Sequence, residues 1–274
     1  KHIIFTMILN MLNSKTQEII IMKVCTYIRQ TPLGQFKRLG VFFKESTTII
    51  DVNLVWQKCF EDEGHFNAKA KANEIAPPLL SQFLKHYQDA AIEMLHETIE
   101  AFKEQAANNG LKTLDGADIA FDLKDDELVK LSNPMDSINC YRDFYAHEKH
   151  VAKGLEKRGE AIPQAWYEIP AYYKGPTTGF IGDGDMIPWP NYTDKLDYEL
   201  ELAAVMGKDG MNIKAKDAYK HIFGFTVLND ISARDIQKKE MAVRLGPAKG
   251  KDFCSVIGPV ITTMDEFNYQ DPDL

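Results

Sequence analysis

The segment Lys195-Leu-Asp-Tyr-Glu-Leu-Glu-Leu-Ala-Ala-Val-Met206 constrains this chain more than any other stretch. It reads as a strand, and side chains on a strand alternate between faces, so Glu199 and Glu201 point the same way. Two neighbouring carboxylates on a half-buried face repel each other and are poorly solvated. Such a pair persists where a cation or a shared proton offsets the cost. Hard divalent cations take oxygen ligands, so Mg²⁺, Mn²⁺ or Ca²⁺ suits a carboxylate cluster better than Zn²⁺ does. Taken alone, an acidic stripe on a strand more often faces solvent, and further carboxylates in similar settings are needed to tip the balance.

Two more are present. The run Ile222-Phe-Gly-Phe-Thr-Val-Leu228 is rich in β-branched and aromatic residues and reads as a buried strand, with Asp230 where it enters a loop. Such strand-to-loop positions favour ligands and catalytic groups. Upstream, Asp143-Phe-Tyr-Ala-His-Glu-Lys-His150 combines an acid with an aromatic and two histidines. An Asp in such a place is by itself usually a helix cap. Four carboxylates with a nearby histidine form a stronger pattern than any one of them.

Together, Asp143-Phe-Tyr…His150, Tyr198-Glu-Leu-Glu-Leu202, Asn229-Asp-Ile-Ser-Ala-Arg-Asp-Ile-Gln237 and Leu245-Gly-Pro-Ala-Lys-Gly-Lys-Asp-Phe253 resemble the fumarylacetoacetate hydrolase family. Order and spacing match from about residue 132 to about residue 263. The resemblance implies an α+β, mostly β fold: a metal-dependent catalytic domain built from mixed sheets in a roll-like sandwich. Members cleave carbon–carbon bonds in acylpyruvate-type diketo acids, or isomerise or decarboxylate related 2-oxo acids. It further implies a homodimer acting on a small anionic diketo or 2-oxo acid.

Position by position, the resemblance makes Asp143, Glu199, Glu201 and Asp230 the ligands of a divalent metal, which would hold the departing enolate as a Lewis acid. Water needs a base with a pKa near neutrality. His150 falls at the family's catalytic histidine, with His147 the local rival on the residues alone. Lys251 and Gln237 match groups that steady the oxyanion, and Tyr145, Tyr173 and, one residue displaced, Arg158 match substrate contacts. Arg234 and Asp235 read as an ion pair or as props of the Asp230 loop. Met241 stands where the animal tyrosine-degrading enzyme has a substrate-facing tyrosine, which argues against fumarylacetoacetate itself as substrate. A different class of reading is a non-catalytic relative that binds metal without turnover.

At 274 residues the chain has room for one large or two modest domains, and its net charge of −8 argues against binding nucleic acid or an anionic membrane surface. The four cysteines are scattered and read as reduced thiols of a cytoplasmic protein. Residues 1–21 read as an extension outside the fold, residues 22–131 as a small β-rich accessory domain with a long helix, and residues 132–274 as the catalytic domain. Family members usually continue for several more strands, so the catalytic domain is expected to be truncated. Runs 23–28, 39–44 and 47–52 read as strands. An apolar stripe from Leu79 to Phe102, closed by Asn109-Gly110, predicts one amphipathic helix on which His86 and His96 are structural. Gly182-Asp-Gly184 lacks the spacing and context of a phosphate loop and reads as a turn.

Overall fold

The computed structural model describes residues 21–267 apart from 45, 109 and 158. The expected extension, Ile21 excepted, and the substrate contact assigned to Arg158 therefore lie outside the described residues. Strands β1 (Lys23–Thr31) and β2 (Gly34–Phe42) form a hairpin across Pro32-Leu33. Thr31 Oγ1 closes its turn, accepting from the Leu33 N–H at 3.1 Å and donating to the Gly34 carbonyl at 3.0 Å. Gly34 supplies the positive φ of 121° that an L side chain resists. Strand β3 (Thr48–Asp51) pairs antiparallel with β2 and runs straight into helix α1 (Val52–Asp62).

Three more helices follow: α2 (Ala68–Ile75), α3 (Leu80–Tyr87) and α4 (Ala91–Ala107). Where one amphipathic helix was expected, the chain breaks at Gln88, whose φ of 48° ends α3, and a 3₁₀ turn leads into α4. Periodicity counts residues per turn and is blind to a single left-handed residue. Both helices still bury the expected stripe, Leu80, Phe83 and Leu84 on one and Met94, Leu95, Ile99 and Phe102 on the other. Each large apolar side chain removed from water contributes roughly 1.5–3 kcal/mol at most. His86 stacks edge-on against Tyr87, and His96 lies 2.8 Å from Asp265. Helix α1 was not anticipated, although the Asp51 side chain accepting from the Leu54 N–H is an ordinary N-cap.

The remaining elements are short: β4 (Ala120–Asp122), β5 (Val129–Leu131), β6 (Asp143–Phe144), α5 (Glu148–Glu156), α6 (Ala165–Glu168), β7 (Tyr172–Tyr173), β8 (Phe180–Ile181) and β9 (Leu196–Asp197). Then come β10 (Leu200–Met206), β11 (Ile222–Asp230), β12 (Ser232–Ala233), α7 (Arg234–Ala242), β13 (Ser255–Ile257) and β14 (Val260–Thr263). A ten-stranded sheet runs β4-β3-β2-β1-β14-β11-β13-β8, with β10 added beside β11 and β5 beside β1. It is mixed, since β13 and β8 pair in parallel among otherwise antiparallel neighbours. The fold is thus α+β and mostly sheet, as expected. The sheet joins the two halves of the chain, because β1 pairs with β14. The main apolar core, under α1, α3 and α4, takes in Val205, Phe223 and Ile261 from the C-terminal half. No helix among the described residues is long and apolar enough to cross a membrane, and Cys25, Cys59, Cys140 and Cys254 are free.

A buried carboxylate ties this core together. Asp51, fully buried, accepts from the Tyr27 hydroxyl, from Arg38 Nη2 at 2.9 Å and from the Leu54 N–H at 2.7 Å. Asp51→Ala removes the counter-charge of Arg38 and the helix cap at once. It is expected to lower unfolding free energy by about 3–5 kcal/mol in urea denaturation. Tyr27→Phe should cost only about 1 kcal/mol.

Candidate metal centre

The register of β10 on β11 builds the site. Leu200 opposes Asn229 and Glu201 opposes Leu228, while the Glu199 carbonyl accepts from the Asp230 N–H at 3.0 Å. Side chains of directly opposed residues on one face stand within about 5.5 Å, so Glu199, Glu201 and Asp230 share one side. That side is the enclosed one: both glutamates are half-buried and Asp230 is completely so, whereas Leu200 and Leu202 are 74% and 72% exposed. The strand therefore reverses ordinary amphipathic logic, turning its acids inward.

Asp143, Glu201 and Asp230 present carboxylate oxygens that all lie within 4.8 Å of one another. Two ligands on opposite sides of one ion at 2.0–2.4 Å stand about 4–4.8 Å apart, so the span fits a hard divalent cation. Neither Asp143 nor Glu201 forms an ion pair among the described residues. Burial, and then the charge of Asp230, pushes the Asp143 carboxyl up to about 6. Burial together with Asp143, Asp230 and Glu199 pushes Glu201 up to about 8. At neutral pH Glu201 thus resists ionising and Asp143 ionises late, and a dication among them would offset the charge that both accumulate.

Glu199, the fourth expected ligand, stands outside this group. Its Oε1 accepts from Arg234 Nη1 at 2.5 Å and its Oε2 from Lys251 Nζ. Burial works to raise its pKa, but the bonds and charges of Lys251 and Arg234 win, and it sits below the usual range. Strand alternation fixes which way a carboxylate points, yet not which neighbour reaches it first, and here two cations do. Lys251 is only 3% exposed and also lies 2.8 Å from Asp230 Oδ2. Arg234 continues to Asp197 at 2.8 Å and donates to Gln237 Oε1 at 3.1 Å, placing Gln237 beside the cluster's cationic rim. It makes no pair with Asp235, since consecutive helical residues do not face each other. Asp235 instead accepts from Thr193 Oγ1 at 2.5 Å.

The aromatic wall comes from the β6–β7 pair, where Asp143 directly opposes Tyr173. The Tyr173 hydroxyl donates to Asp230 Oδ2 at 2.5 Å, and burial followed by that bond drives its phenol far above the ordinary value. His150 lies in the first turn of α5, exposed, with its ring edge-on to Tyr145 at 6.1 Å. His147 caps the same helix through its backbone. The sequence reading passed over Tyr141. Burial, then Asp230, Asp143 and Glu201, raise its phenol, so all three acids act on its hydroxyl. Its spacing of two from Asp143 along extended chain was the available signal.

A cleft of about 250 Å³ lies elsewhere, lined by Lys208, His221, Ile222, Phe223 and Asp265 among others. It opens at the start of the nine-residue strand whose far end carries Asp230, roughly 26 Å away. Its Lys208 is already neutralised by Asp89 at 2.7 Å, and nothing there matches the unpaired carboxylates. The chemistry sits in the acidic cluster.

The family model described as fumarylacetoacetate (FAA) hydrolase C-terminal matches residues 139–273, which hold all these acids. Residues 139–273 belong to the fumarylacetoacetate hydrolase family. The chain is 36% identical over 149 residues to rice fumarylacetoacetase, covering 47% of this chain and 34% of that protein. It is 41% identical over 103 residues to the oxaloacetate tautomerase YisK of Bacillus subtilis, covering 37% of this chain and 33% of the relative. The chain thus spans about a third of the length of these curated relatives. The fold as a whole resembles the fumarylacetoacetate hydrolase of psychrophilic Exiguobacterium antarcticum, with a TM-score of 0.50 and 21% identity, over 90% of this chain and 68% of that one.

The raised carboxyls set a pH signature. A raised folded-state pKa stabilises below the unfolded value and loses that contribution as pH rises through the folded one. Cation-free protein should therefore lose stability between about pH 4 and pH 8, through the titrations of Asp143 near 6 and Glu201 near 8. A bound cation must displace the same protons, so Mn²⁺ affinity should climb across pH 6–8. Thermal melting and calorimetry over that range check both, and Glu201→Gln should flatten each profile.

Proposed function

We propose that the family domain binds Mg²⁺, Mn²⁺ or Ca²⁺ through Asp143, Glu201 and Asp230 and hydrolyses a carbon–carbon bond in an acylpyruvate-type diketo acid. The observation carrying this reading is the pair of half-buried carboxylates, Asp143 and Glu201, left without a cationic partner beside buried Asp230. Bound there, the cation would supply Lewis acidity at the 2-oxo acid end and stabilise the enolate that leaves. Lys251, buried against Asp230 and Glu199, adds a fixed positive charge at the same edge. Glu199 is assigned the task of aiming Lys251 and Arg234, and through Arg234 it holds Gln237 toward the developing oxyanion. His150 would take the proton of the attacking water, with its ring seated on Tyr145. Tyr145 and Arg158 would meet the substrate's outer oxygens.

A second reading keeps the same cation and replaces hydrolysis by tautomerisation, isomerisation or decarboxylation, which need no attacking water. Two observations favour it: the exposure of His150 and the similarity to a protein named for oxaloacetate tautomerisation. Both readings predict a small organic acid as substrate.

An acylpyruvate panel followed by ultraviolet absorbance, with EDTA-treated protein and with Mg²⁺ or Mn²⁺ restored, tests the proposal. Cation-dependent loss of the diketone chromophore with release of two acids is the expected result. Turnover indifferent to EDTA and to Glu201→Gln would overturn it. His150→Ala should retain Mn²⁺ and lose about 10²–10⁴ in hydrolysis. Full turnover of oxaloacetate tautomers by that variant would move the assignment to the second reading.

A further inference from the structure

Tyr141 carries the largest unexplained polar feature near the cluster. Its hydroxyl is buried and has no well-formed hydrogen bond, although the Tyr173 hydroxyl is close enough to act on it. Leaving a buried hydroxyl unpaired costs about 1–3 kcal/mol, and native structures keep few of them without a reason. The ring, by contrast, is seated with care. It stands edge-on to Tyr173 at 6.3 Å and 84°, and edge-on to Phe180 of β8 at 5.3 Å and 87°. Gly175 leaves the remaining space, because a Cβ there would come within 2.0 Å of Tyr141 Cδ1. The sheet, through β8, thus fixes Tyr141 beside Tyr173 while its hydroxyl stays unsatisfied.

Tyr173 has one proton and gives it to Asp230 Oδ2 at 2.5 Å, which leaves its oxygen free to accept. We propose that Tyr141 is a positioning residue of the cation site, closing a relay in which Tyr141 donates to Tyr173 and Tyr173 donates to Asp230. The proposal rests on the reading of Asp143, Glu201 and Asp230 as a cation site. A carboxylate held by a neighbouring hydroxyl keeps one oxygen aimed at the ion, and that aim depends on where the donor itself is held. Asp230 Oδ2 also receives Lys251 at 2.8 Å, so Tyr173 and a buried cation share one carboxylate oxygen. An ion that draws on Asp230 would draw on the Tyr173 hydroxyl bonded to it, and closing the relay would give the Tyr141 hydroxyl its partner.

A double-mutant cycle tests the relay, using Tyr141→Phe, Tyr173→Phe and the pair, with Mn²⁺ alone titrated by calorimetry near pH 8 and melting of EDTA-treated protein as the second readout. Tyr141→Phe should weaken Mn²⁺ about tenfold, in the range that supporting hydrogen bonds to ligands contribute. It should leave cation-free melting unchanged or slightly higher, since the hydroxyl it removes is unpaired. In the Tyr173→Phe background the same change should have no further effect. Unaltered Mn²⁺ affinity in Tyr141→Phe, or losses that multiply independently in the double variant, would overturn the relay and leave the cation site standing. An unaltered chain that binds no Mn²⁺ would overturn the cation site itself, and the relay with it.

Discussion

Repulsion among Asp143, Glu201 and Asp230 is the constraint around which the C-terminal half is arranged. Unit charges about 4 Å apart cost on the order of 4 kcal/mol at the effective dielectric of a protein surface, more than most single contacts return. Local relief is partial: Lys251 reaches Asp230 as well as Glu199, Arg234 is engaged with Glu199, and neither cation pairs with Asp143 or Glu201. The cost is carried instead as raised pKa values, and it falls away when a dication or protons enter. A fold that keeps such a cluster must hold it rigidly, since any freedom would let the carboxylates swing out to water.

The rigidity comes from the sheet. Glu201 and Asp230 sit on paired strands, β10 and β11, and β11 is flanked by β13 and β14 as well. Its neighbour β14 pairs with β1, which carries the load to the N-terminal half and to the core beneath α1, α3 and α4. Asp51 plays the complementary part there, a buried carboxylate with its cation and donors in place. The two acids show the same physics with opposite outcomes. Asp51 is fully compensated and serves stability, whereas Asp143 and Glu201 are left uncompensated and are available for binding.

The tyrosines belong to the same logic. Opposing Asp143 with Tyr173 across a two-residue strand pair is a small device, but it brings a hydroxyl to Asp230, far away in the chain. Polar groups at the rim of the cluster are thus ordered by pairing and by ring packing before any ligand arrives. This kind of preorganisation is what makes a binding or catalytic geometry inexpensive to reach.

Much of this was legible in the residues. Period-two alternation placed Glu199 and Glu201 on one face, the apolar run before Asp230 marked a strand, and the apolar stripe from Leu80 to Phe102 marked the core-facing side of the helical region. These are local properties, set by backbone geometry that neighbours share. What the sequence by itself determined was therefore which runs form the site's strands, which face Glu199 and Glu201 share, and that such carboxylates need a cation or shared protons. Only the tertiary structure decided which carboxylates meet: that Lys251 and Arg234 claim Glu199, that Gln88 divides one helix into two, and that Tyr141 enters the cluster. Those outcomes depend on distances between residues far apart in the chain, and electrostatic partners are chosen by distance rather than by order.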